Sequence, residues 1–303
     1  MAIISASRRT DIPAFHSRWF MDKIERGQAM VKNPFDGHTR EVSLRLEDVD
    51  GIVFWSRDYR PMLDDCARLS DMGYHFYFQF TIIGYPKWVD PGSPPIEIAV
   101  RTAHALALRH GPKAVVWRYD PVMLAEGMDA EWHLRNFAGL ADMMEGATDE
   151  CVTSFIDFYA KFSRRLPRLM EENCSPILAP APGDLPTLVS SMAAIAARRG
   201  IRLSACCEKE DIRGDIPASS CVDRERMAAV TGVDLSGLPK RPTRRLCGCH
   251  ASMDIGAYDT CPAGCAYCYA NRGQKLAAKN SVGVLPANPG LWPLIRRVVS
   301  GSG

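Results

Sequence analysis

Residues 51–81 read GIVFWSRDYRPMLDDCARLSDMGYHFYFQFT. Gly51 to Trp55 is a short run of β-branched and aromatic residues, the composition of a buried strand, and it ends in Ser56-Arg57. Pro61 to Met72 places Met62, Leu63, Cys66, Leu69 and Met72 close to the 3.6-residue period of an amphipathic helix. Gly73 stands where a helix C-terminal cap is expected. A second apolar run, His75 to Phe80, carries Gln79 and ends at Thr81. The order strand, helix, strand predicts a parallel βαβ unit.

The same punctuation recurs outward in both directions. Ala2 to Ala6 ends in Ser7-Arg8-Arg9-Thr10-Asp11. Lys113 to Trp117 ends in Arg118-Tyr119-Asp120-Pro121, Cys151 to Phe155 ends near Asp157, and Ile201 to Ala205 ends in Cys206-Cys207-Glu208. Ile96 to Arg109 and Leu185 to Arg199 have the helical pattern and are followed by Gly111 and Gly200. Val42 to Leu46 adds an edge strand or hairpin. Six strand–helix units predict an α/β fold, a partial (β/α)6-like barrel with parallel strands over residues 1–208; a doubly wound sheet is the alternative. In either architecture, polar residues at strand C-terminal ends face the working crevice. They are Arg8, Arg9, Asp11, Ser56, Arg57, Gln79, Arg118, Asp120 and Glu208. Taken singly, each reads as a helix cap or a surface ion pair. Taken together they predict a charged, polar pocket, with Arg8, Arg9, Asp11, Arg57, Arg118 and Asp120 as catalytic candidates and Gln79 as a cofactor contact.

After Glu208 the pattern stops. Residues 209–303 are rich in Arg, Asp, Gly and Pro at first and in cysteine later. They read as an extension packed on the barrel mouth and held by something other than a large core, such as a metal.

Composition narrows the function. The 303 residues are 47% apolar and 24% charged, ordinary for a globular enzyme, and the net charge of +2 provides no global field for nucleic acid or membrane. The start, MAIISASRRTD, lacks the charged and apolar regions of a signal peptide. No apolar run approaches the ~20 residues of a membrane span. A cytoplasmic protein is expected, and its 11 cysteines are then reduced thiols rather than a disulfide framework. Cys66, Cys151 and Cys174 sit among apolar residues and read as inert core. The other eight fall between Cys206 and Cys268, where metal binding explains clustering best.

The densest segment is Cys261-Pro262-Ala263-Gly264-Cys265-Ala266-Tyr267-Cys268, a C-x3-C-x2-C pattern. Three thiolates this close can wrap one iron–sulfur cubane and leave its fourth iron without a protein ligand. A zinc ribbon built from Cys247, Cys249, Cys265 and Cys268 is the competing reading. Gly264 suits the tight loop a cluster needs. The spacing, with an aromatic residue before the last cysteine, resembles the radical S-adenosylmethionine superfamily. That resemblance implies a [4Fe–4S] cluster on Cys261, Cys265 and Cys268, S-adenosylmethionine on the open iron, and Tyr267 near the adenine. It also implies a reductant such as flavodoxin or ferredoxin. The segments Ser5 to Phe15, Ile52 to Arg57 and Asp254 to Cys261 are similar to a bacterial family of unknown function that carries its cluster motif near the C-terminus. Arg118-Tyr119-Asp120-Pro121 is similar to a strand-end motif of spore photoproduct lyases. The chain departs from the superfamily in placing the cysteine loop after the six units rather than after the first strand, and it has no clear acidic-glycine motif for the methionine amino group.

Cys206, Cys207, Cys221, Cys247 and Cys249 remain. Four of them could hold zinc or a second cluster. Alternatively, Cys206-Cys207 alternate between the faces of a strand, or one of them donates a hydrogen atom. The histidines are not arranged as ligands, and no P-loop, G-x-S-x-G elbow or H-E-x-x-H helix occurs. The expected function is a radical S-adenosylmethionine enzyme acting on a small anionic substrate. An iron–sulfur electron-transfer or sensor protein and a zinc-stabilised nucleic-acid binder are the alternatives.

Overall fold

The computed structural model describes residues 2–173, 176–178 and 183–293; Cys174 lies outside them. The strands are β1 (Ala2–Ala6), β2 (Gln28–Lys32), β3 (Thr39–Ser43), β4 (Val49–Ser56), β5 (Phe76–Thr81), β6 (Val115–Val122), β7 (Glu150–Phe155), β8 (Arg202–Ala205) and β9 (Met253–Asp254). The helices are α1 (Ile12–Phe15), α2 (Ser17–Arg26), α3 (Leu63–Asp71), α4 (Ile96–His110), α5 (Ala130–Met144), α6 (Ala160–Ser163), α7 (Leu166–Asn173), α8 (Asp184–Ala197), α9 (Glu210–Arg213), α10 (Arg224–Thr231) and α11 (Gln274–Val282).

Seven strands form one parallel sheet in the order β8-β7-β6-β5-β4-β1-β9. From β1 to β8 the chain order never reverses, whereas a doubly wound sheet reverses at a switch point. β9 comes from the cysteine-rich segment and pairs with β1 through Ile4 and Ser5. β2 and β3 make a separate antiparallel hairpin, with Val42 opposite Ala29. The region expected from Val42 onward as an edge strand therefore begins earlier and pairs locally.

β6 runs further than its apolar run suggests. Asp120 and Pro121 lie inside it, not beyond its end. Pairing with β7 shifts register between Tyr119 and Val122, and such an irregularity admits a proline that cannot donate to the ladder.

The two faces of the sheet have opposite chemistry, because successive side chains alternate. One face carries Phe54, Phe78 and Trp117 and is covered by helices. Phe54 meets Phe20 of α2 at 5.4 Å between ring centroids, Phe78 meets His110 of α4 at 5.5 Å, and Trp117 stacks on Phe137 of α5 at 4.9 Å. These buried rings form the core that fixes the βαβ units. The other face carries Ser5, Tyr77, Gln79, Arg118, Glu150 and Ser204, all buried. The cysteine-rich segment covers this face. Its Cys221 carbonyl accepts from the Tyr77 hydroxyl at 2.7 Å and from Gln79 Nε2 at 3.0 Å. Arg226 of α10 pairs with Glu150 at 2.6 Å and Asp149 at 2.9 Å. Gly51 admits Met227 here, since a Cβ at that position would lie 2.3 Å from its Sδ. No helix among the described residues is long and apolar enough to cross a membrane.

Candidate metal centres

The loop bearing Cys261, Cys265 and Cys268 docks beyond the ends of β1, β4 and β5. Thr10, just past β1, donates to the Ala257 carbonyl at 2.5 Å, and His16 Nε2 lies 3.0 Å from the Thr260 carbonyl. The segment after β5 cradles the loop, with Ala266 N donating to the Val89 carbonyl at 2.8 Å. Gly92 makes this approach possible: a Cβ there would sit 2.6 Å from the Ala263 carbonyl oxygen. Gly264, singled out by the motif, has φ +79 and would place a Cβ 3.0 Å from Pro91. Asn271 Nδ2 ties down the Cys261 carbonyl at 2.7 Å, and Arg165 Nη2 donates to the Cys268 carbonyl at 2.5 Å.

The three thiols lie within electrostatic range of one another. Burial pushes the Cys261 thiol up to about 12 and the Cys265 thiol well above its usual range, while the guanidinium of Arg57 opposes the shift at Cys265. Arg57 pairs with Asp90 at 2.7 Å, donates to the Tyr267 hydroxyl and lies 5.5 Å from the Tyr267 ring centroid. The Tyr267 hydroxyl in turn donates to Asp90 at 3.0 Å. Asp11 caps α1 and anchors the end of β4, accepting from Ala14 N at 3.0 Å, Ser56 Oγ at 2.7 Å and Arg57 N at 3.1 Å. Burial raises its carboxyl to about 6.

The strand-end residues expected to share one pocket divide into two sets. Asp11, Ser56 and Arg57 join the first cysteine loop. Gln79, Arg118 and Asp120 join a second group of cysteines. Arg118 donates to Asp120 Oδ1 at 2.9 Å, to Gln79 Oε1 at 3.0 Å and to Cys221 Sγ at 3.2 Å. Arg8 also reaches this second group, where the nearby Cys249, Cys221 and Asp254 outweigh the lowering effect of burial on its guanidinium. Arg9 leaves both, lying 5.2 Å from the Tyr258 ring centroid and 4.0 Å from Asp254. Glu208 turns back to accept from Phe155 N at 2.8 Å. Arg57 and Arg118 are thus each ion-paired to a carboxylate.

All five remaining cysteines of the segment meet in the second group. Cys206 Sγ is 3.8 Å from Cys207 Sγ and 3.4 Å from Cys221 Sγ. Cys221 also contacts Cys249, Cys249 contacts Cys247, and Cys247 contacts Cys207. The sulfurs form a closed ring. Hydrogen bonds from Cys206 and Cys249, followed by Arg118 and Arg8, draw the Cys221 thiol well down despite its burial. Hydrogen bonds from Cys207 and Cys249 do the same at Cys247. Cys66 and Cys151, by contrast, are buried in the apolar core. Among the described residues, no three Cys, His, Asp or Glu side chains are already gathered around one metal position; the ring is a chain of S–H···S contacts.

A cavity of about 510 Å³ adjoins the ring, with Cys207 and Arg244 in its wall. Val122, Leu124, Phe155 and Ile177 give it an apolar lining, and Glu208 lies among them. Tyr159 on its rim meets Tyr269, the neighbour of Cys268, at 5.7 Å between ring centroids. This cavity was not foreseen from sequence, because its wall comes from five stretches of chain spread between Val122 and Leu246.

A family model described as Domain of unknown function (DUF1848) matches residues 3–270. The chain belongs to the DUF1848 family. The matched span takes in the strands of the sheet and both cysteine groups of this DUF1848 protein, so the two groups lie within the family's domain rather than in a tail appended to it. No curated protein matches the chain.

Proposed function

We propose that this DUF1848 protein is a radical S-adenosylmethionine enzyme with a [4Fe–4S] cluster on Cys261, Cys265 and Cys268. One observation carries the reading: three thiols of a single loop are docked over strand C-terminal ends, with the half-buried Arg57 guanidinium beside Cys265. Thiolates are the usual ligands of iron–sulfur clusters, and three of them leave one iron open. Two buried polar atoms at this loop, Asn271 Oδ1 and Arg165 Nε, have no hydrogen-bond partner, as expected where a bound group completes the site.

The cluster, when bound, supplies the electron that breaks a carbon–sulfur bond of S-adenosylmethionine. The chain does the rest. Arg57 offsets the negative charge of the thiolates, and Asp90 holds both Arg57 and Tyr267 in place. Tyr267 offers a ring edge for an adenine. The unidirectional order from β1 to β8, with helices on one face, supports a partial barrel whose other face is closed by the cysteine-rich segment. The 510 Å³ cavity has the size and apolar lining of a small-molecule site. Arg244 makes it suited to a small anionic substrate. Free thiols and such a cluster fit a reducing cytoplasm, with a flavodoxin or ferredoxin as electron donor.

The test is anaerobic reconstitution of the full chain. A brown chromophore with about four irons, lost in Cys265→Ala, is expected. Dithionite should then release methionine and 5′-deoxyadenosine from S-adenosylmethionine, or an aminocarboxypropyl fragment. A chromophore that survives Cys265→Ala would contradict the ligand assignment. Failure of the fully loaded protein to cleave S-adenosylmethionine would leave an electron-transfer or sensor protein.

A further inference from the structure

We infer that the ring of Cys206, Cys207, Cys221, Cys247 and Cys249 is a mononuclear zinc site in which Cys207, Cys221, Cys247 and Cys249 are the four ligands. The inference does not depend on the function proposed above.

Spacing chooses the kind of metal centre. Zinc bound to four thiolates at ~2.3 Å sets the sulfurs about 3.8 Å apart along each tetrahedral edge. In the ring, Cys207, Cys247, Cys249 and Cys221 are in contact in turn, and Cys206 Sγ lies 3.8 Å from Cys207 and 3.4 Å from Cys221, closing it at that scale. A cubane binds each thiolate to a different iron, which holds the sulfurs much wider. Contacts this short are too tight for a cubane, and one ion would draw the four sulfurs onto itself in place of the S–H protons that now link them.

Outer hydrogen bonds choose the four ligands. Metal-bound thiolates are held by donors around them. Cys221 receives Arg118 Nη1 at 3.2 Å, Cys249 receives Val222 N at 3.4 Å, and Cys247 lies 3.6 Å from Thr243 Oγ1. Cys207 is hydrogen-bonded by Arg244. Among the described residues, Cys206 has contacts of this kind with sulfurs alone.

Charge agrees. Four thiolates around one divalent ion carry two net negative charges, costly in a buried place. Arg8, Arg118 and Arg244 surround the ring and offset them.

The experiment is metal analysis of the full chain, purified anaerobically from zinc-supplemented cells. One zinc per chain is expected in the wild type, in the triple variant Cys261→Ala/Cys265→Ala/Cys268→Ala, and in Cys206→Ala. Cys221→Ala and Cys249→Ala should lose it. Cobalt loaded in place of zinc should show the intense thiolate-to-metal bands of a tetrahedral site. If the cysteine variants fail to fold, a mercurial titration of the wild type decides: zinc release should track modification of four thiols. Three results would overturn the inference: a zinc-free chain after incubation with zinc, iron with a brown chromophore in the triple variant, or a disulfide between ring cysteines in the anaerobic protein.

Discussion

Arg118 Nη1 lies 3.2 Å from Cys221 Sγ while the same guanidinium pairs with Asp120 and Gln79. One strand residue thereby links the buried polar face of the sheet to the thiol ring. Arg118→Gln should weaken zinc retention by roughly 10- to 100-fold, the usual effect of removing a donor behind a metal ligand. Competition with a chromophoric chelator measures this, and unchanged retention would deny Arg118 the role.

Arg57 joins Asp90, Tyr267 and the neighbourhood of Cys265. Asp90 is almost fully buried. Arg57→Ala leaves that carboxylate without its cation and should destabilise the fold by about 3 kcal/mol. Arg57→Lys keeps the charge but cannot reach both partners as a fork, and should recover only part of the loss. Denaturant titration of the three proteins checks the order wild type, lysine, alanine.

Gly92→Ala is expected to act on the cluster loop rather than on the sheet. Its new methyl would meet the Ala263 carbonyl oxygen at 2.6 Å and Cα at 2.9 Å, both backbone atoms. The loop must shift, at a cost of about 1–3 kcal/mol. Lower iron occupancy at Cys261, Cys265 and Cys268, with zinc content unchanged, is the expected pattern. Equal loss of both metals would point to general unfolding instead.

Arg226 reaches from α10 to Glu150 and Asp149, and Glu150 also accepts from Ser204 Oγ at 2.7 Å. Both Arg226 and Glu150 are 9% exposed in their side chains. Arg226→Ala should cost about 1–3 kcal/mol, because it removes the buried cation of Glu150 and leaves only the exposed Arg202 at 3.3 Å. The double variant Arg226→Met/Glu150→Gln should be milder, and thermal unfolding of both resolves the difference.

His133 is fully buried, with Nδ1 2.9 Å from the Tyr119 hydroxyl and Nε2 3.1 Å from the Met123 carbonyl. Burial lowers it to about 4. The unfolded chain therefore binds a proton that the fold refuses between about pH 6.5 and 4, so stability falls as pH drops through that window. The loss is about 3 kcal/mol from this group when complete. His133→Gln should flatten the acid limb of a stability–pH curve; an unaltered slope would rule out His133 as its source.

The βαβ rhythm was legible in residues 51–81 because strand and helix periods are local properties. The helices over 63–71, 96–110 and 184–197 begin and end within a few residues of the sequence expectation. Boundaries failed where tertiary contacts extend an element. β6 reaches Val122 because β7 lies beside it, not because Asp120 or Pro121 favours a strand. The three-cysteine motif was legible for the same local reason: its donors lie on one short loop.

Sequence by itself determined where thiols crowd along the chain and which segments alternate between strand and helix, since both depend on spacing along the chain. Only the tertiary structure decided that Gln79, Arg118 and Asp120 sit at the five-cysteine ring rather than at the loop of Cys261, Cys265 and Cys268. It alone brought together Cys206, Cys221 and Cys249, which are 15 to 43 residues apart. Ring membership depends on how the cysteine-rich segment folds over the polar face of the sheet, and that packing is set by burial and pairing between distant residues, which no local period records.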